Sequence, residues 1–426
     1  MTPLRYQLSK RTFWLDLPLT GLLVGGLVAA GRLWGAMGAT NTLSFVDTTF
    51  CDLAIAAIVA EVTVDLAIGC DVTAVALASS PVTTTADTLQ EGLAVFPAVA
   101  YYDYLRYPVA VPPPFQTRAV ITDSASLMQI IDGAVDLITA QGLPTASVSM
   151  SLVDLTGDCC DYAAYQDQQP RYPASIVKLF WLVALYGHYD AGQLQPAIDI
   201  YPEDEILMSH YSNNGASSRV VDALTQTVSG ENLSPAELQA WIDARTRLND
   251  YFLLAQYPDL NIAHKTFPIP DLDMPARTGR ELQFAHGEPD TVSSARQRNY
   301  LTTAAVARLL YEIDAGQAIS PEFSDRIKQH LSHSTNPAVW QWEEPNAIAG
   351  FFGEYLPPDA ELYTKLGFTF DDGRQEAAII ASPDQQVRFA LVIFANDPAF
   401  SGDATILPTV ARYIYDQMHQ RQTVQP

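Results

Sequence analysis

The 426-residue chain reads as an α+β protein, an antiparallel sheet flanked by helices, on three observations. One helical repeat precedes a strand pair, a long helical middle follows, and three strands with a closing helix end the chain. Strands arriving in runs favour antiparallel pairing, with the helices covering the faces of the sheet.

Each element has its own signal. From Ser124 to Gln141, Leu127, Ile130, Ile131, Ala134, Leu137 and Ile138 fall at helical spacing. Thr145 to Leu155 alternates as a strand, with Val148, Met150 and Leu152 on one side. A turn at Thr156-Gly157-Asp158 leads into a second short strand. Ile176 to Tyr186 reads as a buried, mostly apolar helix opened by Pro173, and Ser217 to Leu224 as another helical run. Glu361 to Thr369 starts the last strand group, and Asp371-Asp372-Gly373 makes its hairpin turn. Ala377 to Ala381 and Val387 to Ala395 supply two apolar strands, and Leu407 to His419 the closing helix.

Ahead of this domain, Arg5, Lys10 and Arg11 precede an apolar, glycine-rich stretch from Leu17 to Ala30. A positive flank and a short apolar run predict an export signal, and the run is short for a membrane span. Ala36-Met37-Gly38 offers small residues for cleavage; a cleaved signal and a retained anchor both fit. Between Leu43 and Ala78, Asp47, Asp52, Glu61, Asp65 and Asp71 argue against a second membrane helix. A Ser/Thr-rich linker and the prolines 108, 112, 113 and 114 follow. The expected organisation is therefore 1–38 signal or anchor, 39–115 extension and proline-rich linker, and 116–420 the catalytic domain. No function attaches to the extension.

A net charge of −24, spread along the chain, argues against nucleic acid and anionic membrane surfaces as partners. The four cysteines, Cys51, Cys70, Cys159 and Cys160, make no C-x-x-C pair, and no H-E-x-x-H occurs. No metal or cofactor is expected. Cys51 and Cys70 suit a disulfide in an exported protein, and the adjacent Cys159-Cys160 reads as two small hydrophobes near a turn.

The chemistry centres on Ser175 and Lys178, one helical turn apart within Tyr172-Pro173-Ala174-Ser175-Ile176-Val177-Lys178. A serine hydroxyl needs a base within reach to act as a nucleophile. A lysine desolvated by Phe180, Trp181 and Leu182 has its pKa pushed down toward that role. The only lysines are Lys10, Lys178, Lys265, Lys328 and Lys365, and Lys178 sits inside an apolar run where a structural lysine is costly. Taken alone, Ser-x-x-Lys is also what a serine and a lysine near any helix start would produce.

Two further motifs follow in order. Ser212-Asn213-Asn214 precedes a helix, and Lys365-Leu366-Gly367 lies on a strand. With Ser175-Ile176-Val177-Lys178 this triple resembles the signature of the class A β-lactamase and penicillin-binding superfamily. The resemblance covers roughly residues 116–420 and implies a β-lactamase/transpeptidase-like fold.

It also implies roles. Ser175 would attack the carbonyl of a cyclic or peptide amide, with Lys178 as base. Ser212 would relay a proton to the departing nitrogen, and Asn214 would hold the substrate amide and Lys178. Lys365 would attract a substrate carboxylate, and Gly367 would let substrate lie along the strand. The backbone N–H groups of Ser175 and Phe368 would form the oxyanion hole.

The chain departs from the pattern in places. Asn213 and Leu366 replace the usual middle residues of the second and third motifs. The first inter-motif gap is short for the family and the second is long. The family's loop R-x-E-x-E-L-N finds its best match at Arg277-Thr278-Gly279-Arg280-Glu281-Leu282-Gln283, which places Gly279 where the deacylating glutamate belongs. Glu281 matches the second acid, and Glu288 would substitute only after a loop rearrangement. Three functions follow from the resemblance: turnover of a β-lactam or related amide, hydrolysis of a D-Ala-D-Ala peptide or ester, or acyl trapping by a sensor. The expected partner is a small-molecule or peptidoglycan-derived substrate in the periplasm or outside the cell.

Overall fold

The computed structural model describes residues 124–156, 160–257, 260–286 and 298–424. The expected export segment, extension and proline-rich linker, and Glu288, lie outside the described residues.

In chain order the elements are α1 (Ser124–Ala140), β1 (Val148–Asp154), β2 (Asp161–Tyr165), α2 (Val177–Asp190), α3 (Asp204–Ser209), α4 (Asn214–Thr225) and α5 (Pro235–Leu254). There follow α6 (Gly279–His286), α7 (Thr303–Asp314), α8 (Pro321–Leu331), β3 (Ser332–Ser334) and α9 (Pro337–Trp340). The chain closes with β4 (Glu361–Thr369), β5 (Gly373–Ala381), β6 (Arg388–Ala395), α10 (Pro398–Gly402) and α11 (Ile406–Val424). The strands form one antiparallel sheet in the order β2-β1-β6-β5-β4-β3.

The expected strand pair, the last three strands and the helices that flank them all form. β3 was not expected: three consecutive polar residues carry no strand signal until β4 pairs with them, Ser332 opposite Tyr363. Cys160 also departs from expectation, because it is disulfide-bonded rather than a free small hydrophobe. The other three cysteines lie outside the described residues.

Two cores explain the sequence pattern. Ala377, Ile379, Ala390, Val392 and Phe394 face one core with α2 and α7, while Ala378, Ile380, Phe389, Leu391 and Ile393 face another with α1 and α11. Successive strand side chains point to opposite faces, so a sheet covered on both sides reads as a continuous apolar run. Helix α2 is buried from Val177 to His188, so it shows no polar stripe. Trp181 in it donates its indole N–H to the carbonyl of Ile262 at 2.8 Å, tying the central helix to the loop that crosses the site. Lys178 enters the core with the first turn of this helix.

Candidate active site

Ser175 sits in a 3₁₀ turn, Ala174–Ile176, which feeds directly into α2. Ala174 has φ +46°, a left-handed value that costs a non-glycine residue on the order of 1–3 kcal/mol. Ser212, on the loop between α3 and α4, has φ +56°. One outlier precedes Ser175 and the other is Ser212 itself, and the surrounding packing holds both. Asn213 caps α4, its side chain accepting from Ala216 N–H at 2.8 Å, and this fixes Asn214 at the helix start.

The three motifs converge. Lys178 is fully buried, and its Nζ donates to the Ser212 carbonyl at 2.5 Å, to Asn214 Oδ1 at 2.7 Å and to Ser212 Oγ at 3.2 Å. From β4, Lys365 Nζ reaches the same hydroxyl at 3.0 Å and its neighbour's carbonyl, Leu366 O, at 3.1 Å. Ser212 Oγ thus stands between two amines. Gly367 lies against the turn that carries Ser175: a Cβ there would sit 2.8 Å from Pro173 O and 3.0 Å from Ser175 N. Only glycine allows the strand to approach this closely. Phe368 follows on the same strand, opposite Arg374 of β5.

The electrostatics follow from burial. All the partners of Lys178 are neutral oxygens, and burial, with Lys365 close by, drives its pKa well below the usual lysine value. Lys365 is lowered to about 7, again by burial, with Glu376 opposing the shift. Beside Lys365 the rings of His210 and His333 stack at 4.0 Å, and burial lowers His333 to about 3. Both imidazoles stay neutral near pH 7. Among the described residues no cluster of three or more His, Cys, Asp or Glu side chains is placed to hold a metal ion.

The loop residues divide differently from expectation. Thr266 Oγ1 donates to Asn214 Oδ1 at 2.9 Å, and Asn214 Nδ2 donates to Pro268 O at 2.8 Å. The segment laid over Asn214 is therefore Thr266-Phe267-Pro268, which carries no carboxyl group. Gly279 instead packs on another backbone: its φ is +53°, and a Cβ there would fall 1.8 Å from Gly230 O. Glu281 is buried in an ion cluster with Arg245 at 3.0 Å, Ser229 Oγ at 2.8 Å and Lys265 at 3.9 Å. So the structure joins Ser175, Lys178, Ser212, Asn214, Lys365, Gly367 and Phe368 in one region and holds Glu281 in a separate cluster. Thr266, Pro268 and the histidine pair were missed, because a backbone carbonyl, a threonine and two scattered histidines leave no local motif. For Glu376 a signal existed, an acid at the head of an apolar strand.

The Beta-lactamase2 model, described as the β-lactamase enzyme family, matches residues 135–418. No curated protein matches the chain. Among solved structures, a β-lactamase from Sphaerobacter thermophilus is 16% identical, with 70% of this chain and 98% of that chain covered and a TM-score of 0.45. A β-lactamase from Chitinophaga pinensis is 14% identical over 68% of this chain and 98% of that chain, TM-score 0.45. PBP-A is 17% identical over 69% and 97%, TM-score 0.44. On the family match, which spans most of the domain that carries the three motifs, the chain belongs to the β-lactamase enzyme family.

Proposed function

We propose that the protein is a serine hydrolase that is acylated at Ser175 by a β-lactam or a related amide and releases the acyl group slowly. The observation that carries this reading is the Ser212 hydroxyl held between two desolvated amines, Lys178 and Lys365. Ser175 Oγ attacks the amide carbonyl carbon and its proton passes to the neutral amine of Lys178. The oxyanion forms against the N–H groups of Ser175 and Phe368. As the C–N bond breaks, the nitrogen takes the Ser212 proton, which Lys178 replaces. The Lys365 cation attracts the substrate's carboxylate.

Release needs a base for water. The segment over Asn214 supplies Thr266, Phe267 and Pro268, and none of them accepts a proton. General-base help contributes about 10²–10⁴-fold, so with the described residues alone deacylation lacks roughly 3–5 kcal/mol of barrier lowering while acylation keeps its base. A D-Ala-D-Ala peptide is the alternative natural substrate, since slow release matches a protein that binds penicillins. Intact-mass spectrometry after mixing with a penicillin tests the reading: an adduct of one acyl group lasting minutes is expected. No adduct and no turnover would refute it, and rapid turnover without an adduct would refute slow release. The positive flank and apolar run near the N-terminus support a location beyond the cytoplasmic membrane, and a C-terminal reporter active only in the cytoplasm would contradict that reading.

A further inference from the structure

In the proposed reaction the oxyanion meets two N–H groups from distant segments, Ser175 from the turn before α2 and Phe368 from β4. Their spacing decides how well they serve, since useful donors stand about 2.7–3.1 Å from the oxyanion. Gly367 packs one segment against the other, and Arg298 grips both from outside. Its guanidinium makes two parallel bonds to Asp372 in the hairpin turn after β4, Nη1 to Oδ1 and Nη2 to Oδ2, each 2.7 Å. Its Cζ lies 3.6 Å from the centre of the Tyr172 ring, in the segment that leads to Ser175. Asp372 is tied back to Thr369, the neighbour of Phe368. Its N–H donates to Thr369 Oγ1 at 2.8 Å, and that hydroxyl donates to Asp372 Oδ2 at 2.9 Å. The Arg298 segment is itself anchored beside the serine turn, where Leu301 and Arg171 exchange backbone hydrogen bonds of 2.9 and 3.0 Å.

We infer that Arg298 is a positioning residue for acylation: its clamp on Asp372 and Tyr172 fixes the Phe368 N–H relative to the Ser175 N–H. The inference rests on the proposed function, in which Ser175 is acylated. With Asp372 held in a bidentate pair, the two side chains carry no net charge. Arg298 therefore acts by geometry rather than by attracting an anionic substrate. A planar guanidinium fits a carboxylate in one orientation, and the aromatic face beneath it fixes the plane. The pair is partly exposed, with Arg298 at 39% and Asp372 at 20%, so it adds little to global stability. A displacement of about 1 Å near the reacting atoms, in contrast, costs about 10²-fold in rate. The clamp is felt in the rate more than in folding.

The test is labelling of the full-length protein by a fluorescent penicillin at rising concentrations, read per folded molecule. This separates the maximal rate constant from the half-saturating concentration. Arg298→Met and Asp372→Asn are each expected to lower the maximal rate constant by about 10–100-fold. The half-saturating concentration stays within about threefold of the wild type, because the clamp serves the transition state. The double variant is little worse than either single one, since the two side chains act as one unit. Arg298→Lys keeps the charge, loses the fork and recovers only part of the rate. Tyr172→Phe, which keeps the ring, restores most of the rate that Tyr172→Leu loses. A wild type that is not labelled removes the acylation reading and this inference with it. A labelled wild type whose maximal rate constant survives in Arg298→Met, Asp372→Asn and Tyr172→Leu, with only the melting temperature lowered, overturns this inference alone. So does a loss confined to the half-saturating concentration, which would make Arg298 a substrate-binding group. Single losses that multiply in the double variant would show that Arg298 and Asp372 act apart, and would overturn the clamp.

Discussion

Two clusters in this domain bury cationic side chains, and they do so in opposite ways. Around Arg245 and Lys265, every charge has a counter-charge: Arg245 meets Glu281 at 3.0 Å, and Lys265 meets Asp222 at 2.7 Å. Ser229 bridges the set, accepting from Lys265 at 2.8 Å and donating to Glu281 at 2.8 Å. Around Lys178 and Lys365, the partners are hydroxyl, amide and carbonyl oxygens. A paired buried cation stays charged and holds structure. An unpaired one gives up its proton more easily and becomes available for acid–base work. The counter-charge decides whether a buried cation is a fastener or a reagent.

The largest expected effects separate the two clusters. Ser175→Ala and Lys178→Ala should each lower covalent labelling by a penicillin by at least about 10³-fold, and the double variant should be little worse. The melting temperature of Ser175→Ala should stay near the wild type, whereas Lys178→Ala also loses the hydrogen bonds to Ser212 O and Asn214 Oδ1 and should melt somewhat lower. Glu281→Ala should do the reverse. It leaves Arg245 without its close partner and should cost about 3–5 kcal/mol in a denaturant titration, with labelling per folded molecule kept. Loss of labelling in folded Glu281→Ala would place that acid in the chemistry.

Gly279→Glu sharpens the same contrast. A family-based alignment offers it as restoration of a lost base. At φ +53° with a backbone carbonyl 1.8 Å from any Cβ, it instead forces the Gly230 and Gly279 segments apart. The expected result is a loss of several kcal/mol in stability and no faster release of the acyl group. A stable Gly279→Glu protein with a short-lived adduct would show that this loop reaches Ser175.

That case shows where the sequence was legible. Ser175 with Lys178, Ser212 with Asn214, and Lys365 with Gly367 were readable because each pair lies within one helical turn, one helix cap or one strand. Geometry there is local, so spacing encodes it. The sheet was readable for the same reason, except β3, which exists only through its pairing with β4. The loop over Asn214 was not readable. Its contacts are a carbonyl from Pro268 and a hydroxyl from Thr266, more than fifty residues away in the chain. The nearby Arg-x-x-x-Glu-Leu pattern drew the alignment to a segment that serves the ion cluster instead.

A smaller effect is expected in stability against pH. Unfolded, Lys365 holds its proton up to the ordinary lysine value of 10.5, whereas folded it releases it at about 7. Between those values the native state binds fewer protons, so this lysine makes stability rise as pH increases. Below pH 7 the burial penalty is present in full. Lys365→Met should remove that rise and should be more stable than the wild type at neutral pH. A melting curve series over this range checks it, and an unchanged pH slope in Lys365→Met would mean that the folded state keeps the amine protonated through this range.

The smallest expected effect is at Thr266. Asn214 Oδ1 accepts from both Lys178 and Thr266, while its Nδ2 is held by Pro268 O. Thr266→Val removes one acceptor interaction and leaves the amide oriented by the other two. A net hydrogen bond is worth about 0.5–1.5 kcal/mol, so labelling should slow by only a few-fold and stability should fall by about 1 kcal/mol. The lifetime of the adduct should not change, because a threonine hydroxyl is no base for the attacking water. Rate and lifetime come from one experiment, labelling followed by a chase with unlabelled penicillin. A longer-lived adduct in Thr266→Val would mean that the hydroxyl orients the hydrolytic water, and the loop would then belong with the reagents of the site. A fall in labelling beyond about a hundredfold, some 2.7 kcal/mol, exceeds what one neutral hydrogen bond supplies. It would show that the Asn214 amide turns over once Thr266 is lost, taking the Lys178 contact with it.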